Sequence, residues 1–178
     1  MTAVRLATSL GTLTIEADTD RAPVSAGDFL HHAEHGNLAH VSFLRAVDAD
    51  NDQGTPPISI LQAAPIQAVP NCAPIAHEST TETGLRHRNG TVSLARGEPG
   101  TASGLTFFVC LGDQSALDAG GARLPDGLGF AAFGAVTSGM DVVRSLHARP
   151  RHGSAPVDAM EGQILTDPVP ILAAQVLR

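Results

Sequence analysis

The sequence predicts a mainly β protein, a closed antiparallel barrel with helices at its periphery. Short apolar runs of strand-like character recur along the chain, separated by clusters of Gly, Pro, Asn and Asp that break strands. Two isolated segments have helical spacing, which argues against the strand-helix alternation of a parallel sheet. The length of 178 residues suits one core, so we predict a single domain over residues 1–178.

The chain opens with a predicted hairpin and a helix. Apolar residues alternate with polar neighbours over Val4–Leu6 and again over Leu13–Ile15, on either side of a Gly-containing turn. Pro23 suits a first helical turn, and Gly36 suits a helix end. We therefore predict a helix over roughly residues 22–35.

Further strands and one more helix follow. The helix is predicted over residues 139–147, where three apolar side chains share a face and Asp141 favours the N-terminal end of the helix dipole. The predicted strands are Val41–Val47, Ile58–Ala63, Thr91–Ala95, Leu105–Leu111, Phe130–Val136 and Pro170–Leu177.

Two stretches rich in Gly and Pro are predicted as long loops, Asp48–Pro57 and Arg149–Pro168. The first joins the strand of Arg45 to the strand of Gln62. We expect it to be exposed to solvent, poorly protected from hydrogen exchange, and close to the rim of any pocket between those strands.

The charge and the cysteines limit the classes of function. A net charge of −7 leaves no concentrated positive face for nucleic acid, and the short basic patch Arg86–Arg88 is interpreted as solvated surface. Cys72 and Cys110 lack the spacing of a redox or metal motif. The start Met1–Arg5 lacks an apolar signal region, and no segment approaches bilayer length, so we expect a cytoplasmic protein without a membrane partner.

Metal, hydrolytic and phosphate-binding chemistry find little support. His31 and His35 could share a helix face, but a zinc HExxH motif requires Glu where this chain has His32. Gly100–Gly104 does not form a nucleophile elbow, and the glycines at 127–129 lead into a strand without a Walker lysine. We expect no metal and no cofactor.

An arginine and a glutamine lie inside apolar strands. Period two places Phe43 and Arg45 on one face of their strand, opposite Leu44, while Gln62 lies in the following strand. A charged group in an apolar strand is costly unless it is partnered or stands at a pocket mouth. Spacing alone fits equally an arginine exposed on the barrel surface.

Several segments resemble the cyclophilins, especially the short bacterial ones, in the right order and over nearly the whole chain. The opening resembles their first hairpin and helix, with Phe29 within the helix. The other segments similar to family elements are Phe43–Arg45, Gly90–Arg96, Ser103–Val109, and Phe133–Val136 followed by Gly139–Val143.

The resemblance implies an eight-stranded antiparallel barrel capped by two helices, with peptidyl-prolyl isomerase (rotamase) activity in protein folding. It implies that Arg45 is the catalytic arginine, Gln62 the glutamine beside it and Phe108 the floor of the proline pocket. The implied partners are proline-containing peptides or unfolded client proteins. The substrate-binding residues it implies are Phe43, Ile60, Ala95, Arg96, Thr106, Leu117 and Phe130.

An alternative from another class is a non-catalytic peptide- or protein-binding module with the same fold. Ser59 and Ala116 stand where the family has aromatic side chains, and Thr106 replaces a glutamine, so we expect a wider and less apolar pocket. The presence of Arg45, Gln62 and Phe108 favours the enzyme.

Overall fold

Nine antiparallel strands form one curled sheet in the computed structural model, which describes residues 1–70 and 72–177. Across the sheet the order is β8-β3-β4-β6-β5-β7-β2-β1-β9, which confirms the predicted mainly β class. The strands are β1 (Thr2–Thr8), β2 (Gly11–Ala17), β3 (Val41–Val47), β4 (Ile60–Pro65), β5 (Thr91–Leu94), β6 (Phe107–Cys110), β7 (Ala131–Ser138), β8 (Ile164–Pro170) and β9 (Ala173–Leu177).

The prediction of a closed eight-stranded barrel is wrong, because the sheet has nine strands and remains a curled half-barrel. Its two end strands, β8 and β9, are consecutive in the chain and pair with β3 and β1 respectively. Between them, the N–H of Ile171 donates to the carbonyl of Val41 at 3.0 Å, and the N–H of Leu172 donates to the carbonyl of Ala7 at 2.8 Å. A continuous segment thus connects the two edges of the sheet.

Strand β8 begins inside Arg149–Pro168, which the sequence predicted as a loop. Its prolines, Pro168 and Pro170, have no N–H to donate, and Pro168 was interpreted as a strand breaker at the end of that loop. An edge strand tolerates proline because one side of its backbone needs no ladder partner. β8 is such an edge strand, at the end of the sheet next to β3.

Three α-helices accompany the sheet within the described ranges 1–70 and 72–177. α1 (Pro23–Glu34) and α3 (Met140–His147) lie where helices were predicted, and the short α2 (Thr80–Thr83) was not predicted. The ring of Phe29 in α1 packs edge-to-face on Phe107 of β6, with 5.5 Å between ring centroids. In the described part of the chain, no helix has the length and apolar character that crossing a membrane requires.

Candidate active site

A cavity of about 520 Å³ opens beside β3, β4 and β6. It gathers side chains that lie far apart in the sequence, from Arg45 in β3 to Phe130 just before β7. The sequence-predicted site residues that line it are Arg45, Ile60, Gln62, Ala95, Arg96, Thr106, Phe108, Leu117 and Phe130.

Phe43, the remaining residue predicted for the site, lies in the hydrophobic core and does not line the cavity. On β4, Ala63 is the partner of Phe43 and the adjacent Gln62 is the partner of Arg45, so Leu44 is an extra residue in β3. Adjacent residues of β4 point to opposite faces of the sheet. The resulting bulge therefore sends Phe43 inward and Arg45 to the cavity, and the prediction that both share a face is wrong.

Two neutral amides hold the guanidinium of Arg45. Its Nη1 donates to Oε1 of Gln62 at 2.9 Å, while its Nε and Nη2 donate to Oε1 of Gln163 at 2.9 and 2.7 Å. An arginine has five N–H groups. Within residues 1–70 and 72–177, one N–H on Nη1 and one on Nη2 therefore have no protein acceptor, and a ligand in the cavity can accept them.

Burial lowers the pKa of the Arg45 guanidinium from its ordinary value, and the nearby Arg123 lowers it further while Asp52 raises it. A guanidinium nevertheless stays protonated in proteins at neutral pH. Because the amides of Gln62 and Gln163 carry no charge, Arg45 presents an uncompensated positive charge to the cavity.

Gln163 is a site residue that sequence reasoning missed. Its side chain is fully buried, and its Nε2 donates to the carbonyl of Asn51 at 2.8 Å, which fixes the amide that receives Arg45. The carbonyl of Gln163 also accepts the N–H of Ala46 at 2.9 Å. Gln163 lies 118 residues from Arg45 in sequence and just outside β8, so no local periodicity could have revealed the pairing.

Phe108 forms an apolar wall of the cavity and is only 2% exposed. The ring of Phe130 meets it edge-to-face at 5.4 Å between centroids. The ring of His87 lies stacked on it at 6.0 Å, with an angle of 16° between the planes. Phe108 belongs to an apolar cluster beside the cavity that comprises Val47, Ile58, Ile60, Phe108, Cys110 and Leu117.

His87 is buried, and its interpretation as solvated surface is wrong. Its Nδ1 lies 2.7 Å from Oδ1 of Asp118, and its Nε2 lies 2.9 Å from Oγ of Ser93. Burial raises the pKa of Asp118, but hydrogen bonds from His87 outweigh burial and leave that pKa below its ordinary value. These bonds at both ring nitrogens fix the imidazole behind Phe108.

The loop 48–57 lies at the rim of the cavity, as predicted, but it is anchored more firmly than expected. The carboxylate of Asp52 is 1% exposed and binds Arg123, a cavity-lining residue, through two contacts of 2.8 Å. The same carboxylate accepts the N–H groups of Gly54 and Ile58. The loop is therefore tied to a residue of the cavity lining, although several loop residues are exposed.

Acid is expected to loosen this anchor. Burial raises the pKa of Asp52, but the hydrogen bonds from Arg123, Gly54 and Ile58 outweigh burial and place it below its ordinary value. A carboxyl whose pKa is lowered on folding stabilises the protein fully above its unfolded pKa of about 3.9, and that contribution is lost as the pH falls through the folded value. The free energy of unfolding should therefore fall more steeply below pH of about 4 in wild type than in Asp52→Asn.

Denaturant titrations at a series of pH values measure this difference. Asp50→Asn, which removes a charge at an exposed position of the same loop, is the matched control. If the free energy of unfolding falls equally steeply with decreasing pH in wild type and in Asp52→Asn, the proposed role of Asp52 in anchoring the loop is contradicted.

Two substitutions that suggested a poorer pocket lie outside it. Ile58 and Ile60 line the cavity, and Ser59 between them does not. Ala116 is likewise outside the lining, whereas its neighbour Leu117 contributes an apolar wall. Of the three changed residues, only Thr106 lines the cavity, and the expectation of a wider cavity remains a prediction.

The comparisons with known proteins agree with one another. A family model described as cyclophilin type peptidyl-prolyl cis-trans isomerase/CLD matches residues 3–176. The chain is 32% identical over 149 residues to peptidyl-prolyl cis-trans isomerase cyp18 of Streptomyces antibioticus, which covers 82% of this chain and 83% of that protein. It is 27% identical over 177 residues to peptidyl-prolyl cis-trans isomerase A of Dickeya dadantii, which covers 99% and 85%.

Solved structures show the same fold. A cyclophilin type peptidyl-prolyl cis-trans isomerase of Cryptosporidium parvum aligns with a TM-score of 0.73 at 17% identity, covering 99% of this chain and 98% of that one. A second crystal structure of that protein, in the presence of the dipeptide Ala-Pro, aligns with a TM-score of 0.72 at 17% identity, covering 99% of each chain.

Proposed function

The chain belongs to the cyclophilin-type peptidyl-prolyl cis-trans isomerases, and from that premise we propose that its cavity accelerates rotation about X–Pro bonds, with Arg45 as the catalytic residue. One observation carries the assignment to Arg45. Its guanidinium is held by Gln62 and Gln163 beside the apolar wall of Phe108 and retains two N–H groups for a ligand. The site combines a strong donor with a surface suited to a prolyl ring.

The chemistry requires no proton transfer, metal or cofactor. A peptide bond resists rotation by about 18–20 kcal/mol because the nitrogen lone pair is delocalised into the carbonyl. As the bond twists, that pair becomes localised on the prolyl nitrogen and can accept a hydrogen bond. A guanidinium N–H donated there binds the twisted state more tightly than the planar state, and it therefore lowers the barrier.

The surrounding residues have distinct roles in this proposal. Phe108 and Leu117 hold the prolyl ring still while the preceding carbonyl turns. Gln62 and Gln163 keep the guanidinium in one orientation, so that little reorganisation is needed in the transition state. The peptide backbone lies along Ala95 and its neighbours at the end of β5. Further contacts come from the cavity-lining Ile60, Arg96, Thr106 and Phe130.

We propose proline-containing peptides or unfolded proteins as substrates, with a role in protein folding. The related Cryptosporidium structure in the presence of Ala-Pro supports this substrate class. Among the described residues there is no group of three or more His, Cys, Asp or Glu side chains that could hold a metal ion. The predicted cytoplasmic location remains a prediction.

A protease-free isomerisation assay on a Pro-containing peptide tests the function. We expect wild-type protein to accelerate cis-trans exchange well above the uncatalysed process, which takes tens to hundreds of seconds. Peptide binding without acceleration would instead support the non-catalytic binding module. That alternative is favoured by Thr106, which lines the cavity and stands where the family has a glutamine.

Gln163→Ala is expected to lower kcat about tenfold with little change in KM, because Arg45 loses the amide that receives two of its N–H groups. Gln163→Glu keeps an acceptor oxygen but loses the N–H that binds the carbonyl of Asn51 and places a negative charge against Arg45, so it should not recover kcat. Steady-state kinetics resolve kcat from KM, and unfolding curves verify that each variant folds. A rise in KM at unchanged kcat would show that Gln163 does not position Arg45 for the chemical step.

A further inference from the structure

The cavity is electropositive, although the chain carries a net charge of −7. Three arginines line it, Arg45, Arg96 and Arg123. None of the aspartates and glutamates in residues 1–70 and 72–177 lines it. Guanidinium groups therefore face the space that a substrate enters, and the acidic side chains lie behind them or elsewhere on the surface.

The carboxylates behind two of these arginines compensate part of this charge. Asp126 lies 2.9 Å from Nη1 of Arg96, whose guanidinium also stands 5.6 Å from the centre of the Phe130 ring. The Arg96 side chain is only 2% exposed, so its donors are largely occupied by the protein. Asp126 compensates the charge of Arg96, and Asp52 compensates that of Arg123. Arg45 is bound by neutral amides, so the excess positive charge of the cavity lies there.

Arg123 retains donors for a ligand. Its Nη1 donates to Asp52 and to the carbonyl of Pro56, and its Nη2 donates once to Asp52. Of five N–H groups, Nε–H and one Nη2–H therefore have no acceptor among the described residues. The side chain is 14% exposed and lines the cavity, so its free edge is open to a peptide there.

The glycine at position 54 helps to seat this guanidinium. A Cβ atom added at Gly54 would overlap Nη1 and the central carbon of the Arg123 guanidinium. The loop backbone thus packs directly on the group, while the Asp52 carboxylate binds its end. Arg123 is therefore held at the rim in one orientation, as a specificity residue requires.

We propose that the cavity selects prolines flanked by an acidic residue, whose carboxylate is bound by Arg123 within the positive field of Arg45. This inference rests on the proposed isomerase function of the same cavity and names its preferred substrate class. Arg45 stays available to the prolyl nitrogen, because the free edge of Arg123 receives the carboxylate.

The expected preference is modest because Asp52 already neutralises much of the charge on Arg123. A new hydrogen bond between charged groups strengthens binding by about ten- to a hundredfold when nothing competes with it. With one carboxylate already bound, we expect a peptide with Glu beside proline to bind about fivefold more tightly than its Gln isostere. A Lys peptide should bind more weakly than either, because the cavity repels its charge.

The test compares Glu, Gln and Lys at the residue before proline, and in a second set at the residue after it. Calorimetry gives the dissociation constants, and the protease-free assay gives kcat/KM. In at least one set we expect the affinity to decrease in the order Glu, Gln, Lys. The ratio of the affinity for the Glu peptide to that for the Gln peptide (the Glu-to-Gln ratio) should shrink as salt is raised. Arg123→Gln should bring the ratio close to one.

Arg151→Gln is the matched control. Arg151 also binds a carboxylate of the loop 48–57, through a 2.6 Å contact with Asp48, but it does not line the cavity. It should leave the Glu-to-Gln ratio at the wild-type value. If Arg123→Gln does not fold, Gly54→Ala tests the same idea, since it displaces the guanidinium while keeping its charge.

The outcomes separate this inference from the proposed function. Catalysis with equal affinity for the Glu, Gln and Lys peptides would overturn the inference and leave the isomerase function standing. Tighter binding of the Glu peptide without catalysis would overturn the isomerase function and leave the recognition of acidic peptides standing. An unchanged ratio in both Arg123→Gln and Gly54→Ala would show that Arg123 does not bind the carboxylate.

Discussion

Arg45→Ala is expected to lower kcat/KM for a proline-containing peptide by a factor of about 10² to 10³, the range observed when one preorganised donor to a developing charge is removed. The guanidinium is pre-positioned by three hydrogen bonds to Gln62 and Gln163. Its remaining N–H groups act when the prolyl nitrogen becomes pyramidal. A protease-free isomerisation assay measures the loss.

Arg45→Lys is the informative companion to this variant. Lysine keeps the positive charge but lacks the planar fork that binds Gln62 and Gln163 at once. Its activity should lie between those of wild type and Arg45→Ala. Full activity in Arg45→Ala would leave the family membership intact and refute the mechanism.

Phe108→Ala is expected to lower activity and also to destabilise the protein by about 3–5 kcal/mol, as truncation of a buried aromatic ring does. Phe108 is 2% exposed and packs between His87 and Phe130, so its loss leaves a void behind the cavity wall. The prolyl ring would then be held loosely while the peptide bond turns. Denaturant unfolding and steady-state kinetics on the same preparation measure both effects.

The matched control is Phe133→Ala. Phe133 is fully buried in the main core beside Phe29 and lies outside the cavity, so its loss should cost comparable stability. Under conditions in which both variants are folded, the KM of Phe133→Ala should stay close to the wild-type value. The KM of Phe108→Ala should differ from it. The same KM in both variants would remove Phe108 from the substrate site.

Local sequence patterns predicted much of the sheet. Strand β3 was predicted with its observed bounds, because its apolar run lies between the helix end predicted at Gly36 and the polar loop that begins at Asp48. The bulge at Leu44 was not predictable, because an inserted residue appears only in the pairing of β3 with β4. Because of that single residue, Phe43 lies in the hydrophobic core while Arg45 lines the cavity.

The site could be predicted in part for a similar reason. Arg45 and Gln62 stand out as polar residues within apolar strands, and the family resemblance identified them as neighbours. Gln163 and Arg123 lie in irregular segments. In such segments neither hydrophobic periodicity nor secondary-structure propensity indicates which residues belong to a site. Their roles depend on contacts with Arg45 and Asp52 that the tertiary fold alone creates.

The central claim is that Arg45 stabilises the twisted peptide bond more than the planar one. Exchange NMR over a titration with an Ala-Pro peptide tests it directly, because the titration yields the dissociation constant and its saturated end point yields the rate of cis-trans exchange on the protein. In Arg45→Ala we expect that rate to fall by a factor of about 10² to 10³ while the dissociation constant changes by less than about threefold. A dissociation constant that rises in proportion to the loss of rate, or an exchange rate unchanged by the substitution, would contradict the claim.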